Sequence, residues 1–114
     1  MKLMRVGQPG KERPAVAVDE NNYIDISDLV PDFNADFFQN EKWFDIKAEV
    51  ANRIAAKDFL QVAGNRIGAP FVRPHQILCI GLNYADHAKE SGAEVPPEPI
   101  IFTKAPNTLI GPDD

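Results

Sequence analysis

The sequence predicts an α+β fold: a small N-terminal β-meander with helices, leading into the first strands of a second β-rich part. Three observations carry this. Short stretches before residue 27 read as strands separated by Pro-Gly or polar turns, the period becomes helical between Asp32 and Gln61, and Ile77-Leu78-Cys79-Ile80 is a continuous apolar run closed by glycine.

Residues 2–8 alternate weakly, Leu3 and Arg5 against Met4 and Val6, enough for a short strand stopped by Pro9-Gly10. Pro14 to Val18 reads as a second strand, ended by the Asp19-Glu20-Asn21-Asn22 turn, and Tyr23 to Ile26 as a third. Ser27-Asp28 is expected to cap a brief helical turn before Pro31. Trp43, Val50 and Ile54, supported by Ile46 and Ala51, form an apolar stripe across about four helical turns, which reads as core packing. Phe37 and Phe38 fall in a short preceding helix or turn. Gly64, Gly68, Pro70 and Pro74 then punctuate a loop, placing the boundary between an N-terminal module, 1–70, and a second part, 71–114. His75 has no acidic partner at helical spacing and reads as structural or exposed.

Ile77 to Ile80 is the kind of run a strand shows when both its faces are buried, and Gly81 is expected to end it by adopting backbone angles that other residues resist. Asn83 is a good N-cap, Tyr84 to Ser91 holds the helix formers Ala85, Ala88, Lys89 and Glu90, and Gly92 supplies a stop. On that helix His87 and Glu90 stand three apart and share a face. A carboxylate accepting from one ring nitrogen fixes the tautomer and raises the basicity of the other, which suits removing a proton from water. From spacing alone, an exposed His with an ordinary neighbour is the commoner reading. Pro96, Pro97 and Pro99 hold the following connector extended. Strand Ile100 to Lys104 puts Ile100, Phe102 and Lys104 on one face and Ile101 and Thr103 on the other. Lys104 reads either as a solvated strand end or as an ammonium facing a pocket, and Tyr84 either as a packing residue or as a donor to a substrate oxygen.

Gly81-Leu82-Asn83-Tyr84-Ala85-Asp86-His87-Ala88-Lys89-Glu90, followed by Pro96-Pro97-Glu98-Pro99-Ile100-Ile101-Phe102-Thr103-Lys104 and then Gly111-Pro112, closely resembles the fumarylacetoacetate hydrolase family. The likeness is to its bacterial hydrolases, isomerases and decarboxylases of 2-keto acids. It covers about residues 75 to 114, and the first seventy are consistent with the variable N-terminal domain of such enzymes. The resemblance implies a mixed-β catalytic domain starting at residue 71, His87 and Glu90 as a catalytic dyad activating water, and Lys104 and Tyr84 as substrate-binding residues. It also implies an acylpyruvate-type 2-keto acid substrate, a homodimer, and Mg²⁺ or Mn²⁺ held by a Glu-x-Glu pair and a later Asp beyond the Gly-Pro segment. This chain supplies no such pair. Glu94 and Glu98 flank prolines and Asp113-Asp114 closes the sequence, so all four read as solvated charges and no metal ligand is assigned. The expectation is therefore the N-terminal part of a longer enzyme, carrying the dyad without the metal cage and inactive by itself.

The 114 residues have room for one domain and the start of another, with 44% hydrophobic and 25% charged residues, ordinary values for a globular protein. A net charge of −5 argues against nucleic acid and anionic membrane surfaces as partners, since both require a basic face. The single cysteine, Cys79, excludes an internal disulfide and reads as a buried small residue in a reducing compartment. Neither a signal peptide nor a transmembrane span is found, so cytoplasm is the expected location. Two other classes stay open: a non-enzymatic binding or assembly module that keeps only this part of the fold, and an unrelated α+β domain in which the His-x-x-Glu spacing is accidental.

Overall fold

The alternation near the N-terminus folds as strands β1 (Lys2–Val6), β2 (Arg13–Ala17) and β3 (Asn22–Asp25), each antiparallel to the next. A computed structural model describes all of residues 1–114, and it is α+β. The chain divides into two compact units, Met1–Pro74 with Leu109–Asp114, and His75–Thr108.

In the first unit the polar turn after β2 is fixed by one carboxylate, Asp19 Oδ1, which accepts from the backbone N–H groups of Asn21 and Asn22 at 2.8 Å. The register sets Leu3 against Val16 and Val16 against Ile24, so apolar side chains gather on one face. Val16 and Ile24 join Ile26, Val30, Phe33, Phe37, Ile46 and Val50 in the main core, while Met4, Val6, Ala15 and Tyr23 form a second cluster with Ala17, Val62 and Ile67 around them. Helix α1 (Ala35–Gln39) begins where the Asn34 side chain accepts from Phe37 N at 3.0 Å.

Helix α2 (Trp43–Ala56) buries Ile46 and Val50 with Trp43 half-buried beside them, but the expected stripe stops short. Ile54 and Ala51 are exposed, and the next inward position belongs to Arg53. Its guanidinium meets Asp28 Oδ1 at 3.1 Å, the Asp25 carbonyl at 3.1 Å and Glu49 Oε1 at 2.9 Å, so a polar clamp ends the apolar face. The helix closes at Lys57, in the left-handed region with φ 57°. Strand β4 (Leu60–Gln61), absent from the sequence expectation, then pairs with β3 through Tyr23 and Leu60. Two residues are too few to show a period.

A chain of charges runs through this unit. Arg5 is 8% exposed, and its guanidinium donates to both Asp32 oxygens at 2.7 and 3.0 Å and approaches Glu12 at 3.4 Å. Glu12 also accepts from Arg66 at 3.0 Å, and Arg66 Nε donates to Asp114 at 2.7 Å. Asp114 is therefore an ion-paired residue, not the freely solvated charge expected. Its other oxygen accepts from Gly111 N at 2.8 Å.

The second unit holds β5 (Ile77–Gly81), helix α3 (Ala85–Glu90), β6 (Ile100–Lys104) and a short 3₁₀ turn at Pro106–Thr108. β5 and β6 pair antiparallel, from Ile77 with Lys104 to Gly81 with Ile100. β5 is not buried on both faces as its composition suggests: Ile77, Cys79 and Gly81 are half-buried, while Leu78 and Ile80 are exposed. A two-stranded sheet has nothing of its own to cover that second face.

Candidate active site

The site lies where β5 gives way to α3. Gly81 does not supply the unusual backbone angles of this turn. The left-handed residue is Leu82, with φ 46°, a conformation costly for a branched side chain and concentrated at functional turns. The N-cap is Tyr84, in extended conformation, and no side chain caps the helix, so Asn83 is not used as expected. At the other end Gly92, at φ 68°, donates to the Lys89 carbonyl and Ala93 N donates to the Ala88 carbonyl, the double bond of a Schellman motif. Ala88 is the one buried residue of α3.

This turn, the first turn of α3 and β6 enclose a cleft of about 530 Å³, lined by Ile80, Gly81, Leu82, Asn83, Tyr84, His87, Ile100 and Phe102. Two of the four expected site residues, His87 and Tyr84, therefore face one concavity. Glu90 and Lys104 do not line it. Glu90 shares α3 with His87, but no hydrogen bond or ion pair joins them; the bonds of that last turn run from Ser91 Oγ to the carbonyls of His87 and Ala88, at 2.9 and 3.0 Å. Lys104 sits at the far end of β6 from Gly81, on the same face as Ile100 and Phe102 and opposite Ile77. A second, smaller concavity of about 300 Å³ shares Ile80 to Asn83 and is completed by Val95 to Pro99.

Gly81 keeps the cleft floor open. A Cβ there would meet Ile100 Cβ at 3.4 Å and Phe102 Cε1 at 3.6 Å. Ile100, Phe102 and Leu82 were not singled out from sequence as site residues, although the two-residue alternation of β6 already put Ile100 and Phe102 on the face of Lys104. No group of three or more His, Cys, Asp or Glu side chains lies close enough together to hold a metal ion. No helix is long and apolar enough to cross a membrane. Cys79, half-buried on β5, carries a free thiol.

Residues 76–114, which include every residue of this cleft, match the family described as fumarylacetoacetate (FAA) hydrolase C-terminal. Over its whole length the chain is 37% identical to a protein of Burkholderia multivorans, 40% identical to one of Burkholderia ambifaria and 36% identical to one of Burkholderia cenocepacia, each bearing the name "Putative hydrolase". It spans 39% of the length of each of these relatives. Through residues 76–114 the chain is thus similar to the fumarylacetoacetate hydrolase family, and over its whole length to proteins named as hydrolases.

Proposed function

We propose that the full-length protein hydrolyses a carbon–carbon bond in an acylpyruvate-type 2-keto acid, with residues 71–114 opening its catalytic domain and His87 as the general base. The observation that carries this is His87 at the wall of a cleft lying wholly within the family-matched segment. The hydrolase names of the relatives agree with it. In this reading His87 takes a proton from water, and the water oxygen attacks the acyl carbonyl. The bond from that carbon to the methylene breaks, its electron pair leaves as the enolate of pyruvate, and the enolate carbon takes up a proton. Acylpyruvate and water thus become a carboxylate, pyruvate and one released proton. Lys104 holds the substrate carboxylate as a point charge, Tyr84 donates to a substrate oxygen, and Glu90 orients the imidazole once the helix tightens on substrate.

A divalent cation, Mg²⁺ or Mn²⁺, belongs to the same proposal. The residues here do not fit as its cage, since no set of donors comes together, and its ligands are assigned outside residues 1–114. A homodimer in the cytoplasm completes the reading.

The test is kinetic. In the full-length protein His87→Ala should lower kcat by about two to four orders of magnitude with little change in KM. Glu90→Gln should lower it less, because Glu90 acts through His87. Near-normal turnover by His87→Ala would remove His87 as the base.

A further inference from the structure

We infer that the acyl group of the substrate is an uncharged, apolar chain that lies against Ile100 and Phe102, making these two residues the specificity determinants of the site. The inference rests on the hydrolytic reading above and goes on to name which acylpyruvates are preferred.

Among the eight residues lining the cleft, only Asn83, Tyr84 and His87 bring polar side chains, and none brings a positive charge other than His87 when protonated. The far wall is Ile100 and Phe102, 45% and 43% exposed on the cleft side of β6, with Gly81 leaving the floor open between them. No Arg or Lys stands there to receive a second carboxylate. The single strand cation on this face is Lys104, about 7 Å beyond Phe102 by strand geometry. That separation suits one molecule laid along β6. Its carboxylate sits at Lys104, its acyl carbonyl carbon lies three bonds from the carboxylate carbon towards His87, and whatever is attached to that carbonyl falls on Ile100 and Phe102. A charged acyl group would be desolvated on an apolar wall with no partner, whereas each methylene placed there is withdrawn from water.

The experiment measures kcat/KM of the full-length protein for 2,4-dioxopentanoate, 2,4-dioxononanoate and 2,4-dioxononanedioate. The last two have equal length and differ in a terminal carboxylate. Full burial is worth about fourfold per methylene, so a partly open wall should still favour the nonanoate over the pentanoate by about tenfold or more. The dicarboxylate should fall at least about tenfold below the nonanoate. Phe102→Ala should draw the ratio of nonanoate to pentanoate towards one. That ratio is internal to each protein and does not depend on how much of the variant folds. Equal rates across the series, or preference for the dicarboxylate, would overturn the inference while leaving the hydrolytic reading intact. Failure to cleave any of the three would overturn the hydrolytic reading itself, and this inference with it.

Discussion

Gly81 stands opposite Ile100 in the register of β5 and β6, and a Cβ built on it would lie 3.4 Å from both the Cβ and the Cγ2 of Ile100. That is ordinary van der Waals contact. The backbone of Gly81 is not in the left-handed region, so alanine meets no conformational penalty there. Gly81→Ala should therefore keep the fold, with stability unchanged or raised by about 0.4–1 kcal/mol through the stiffer unfolded chain. The added methyl nevertheless fills the floor of the cleft, and kcat/KM should drop by about ten- to a hundredfold. Thermal denaturation and steady-state kinetics on the same preparation separate the two effects. Loss of stability in step with activity would make Gly81 a structural glycine.

Gly111 predicts the opposite. A Cβ there would stand 2.2 Å from the Ile67 carbonyl oxygen and 3.0 Å from Gly68 Cα, both backbone atoms that cannot rotate away. Gly111→Ala should cost about 1–3 kcal/mol as overpacking. It should also release the Arg66–Asp114 pair, because the Gly111 amide anchors the Asp114 carboxylate. A denaturant midpoint equal to that of wild type would show that the segment has room to move.

Much of the fold was legible because its signals are local. Alternation and turn residues mark β1 to β3, and Gly92 ends its helix by its own chemistry. What the sequence concealed depends on partners distant along the chain. Ile54 looks like core until Arg53 is seen to hold Asp28, twenty-five residues away, and Arg5 looks like the polar face of a strand until Asp32 and Glu12 enclose it. The exposure of Leu78 and Ile80 is likewise a fact about what lies over a strand, not about the strand. At the site, helical spacing placed His87 and Glu90 on one helix but could not fix rotamers, so the hydrogen bond between them did not follow from it. Capping propensity put the helix start at Asn83, whereas the N-cap is Tyr84, two residues past the left-handed Leu82.

The charge chain makes the first unit sensitive to acid. Burial pushes the Glu12 carboxyl up, but the hydrogen bonds from its own backbone N–H and from Arg66, with the charge of Arg5, outweigh it and hold the group below its ordinary value of 4.5. The hydrogen bond from Arg66, then that from Gly111, holds Asp114 below 3.8, and the hydrogen bond from Arg53 does the same for Asp28. A lowered folded-state pKa means that the unfolded chain binds more protons across this range. These carboxylates therefore contribute their full stability above about pH 5.5 and lose it as the pH falls through about 4.5 and below. The melting temperature should be flat near neutrality and decline on that acid limb, and Glu12→Gln should lower the plateau while making the limb shallower. A limb of equal steepness in Glu12→Gln would place the acid sensitivity elsewhere.

Helix α3 is expected to be the element that moves. It has six residues, well under the dozen or so at which an isolated helix in water becomes even marginal, so what it packs on must hold it. Only Ala88 is buried, and a single methyl contributes little anchoring area. Its start has no side-chain cap, which leaves the first-turn amides without a capping acceptor. Its end is secured by the Schellman bonds around Gly92. The helix should therefore fray from the Tyr84 end, where His87 stands. In hydrogen exchange on the unliganded full-length protein, the amides of Ala85 to His87 should exchange close to the unstructured rate, while those of Ala15 and Val16, at 0% and 2% exposure in β2, should exchange only through global unfolding. On the proposed reading, a non-cleavable 2-keto acid analogue bound in the cleft should give the helix the inner surface it lacks. Protection of Asp86 to Glu90 should then rise as the turn closes over the ligand, excludes bulk water and brings His87 to its target. Strong protection of those amides without any ligand would mean a fixed helix, and the closing motion would have to be given up.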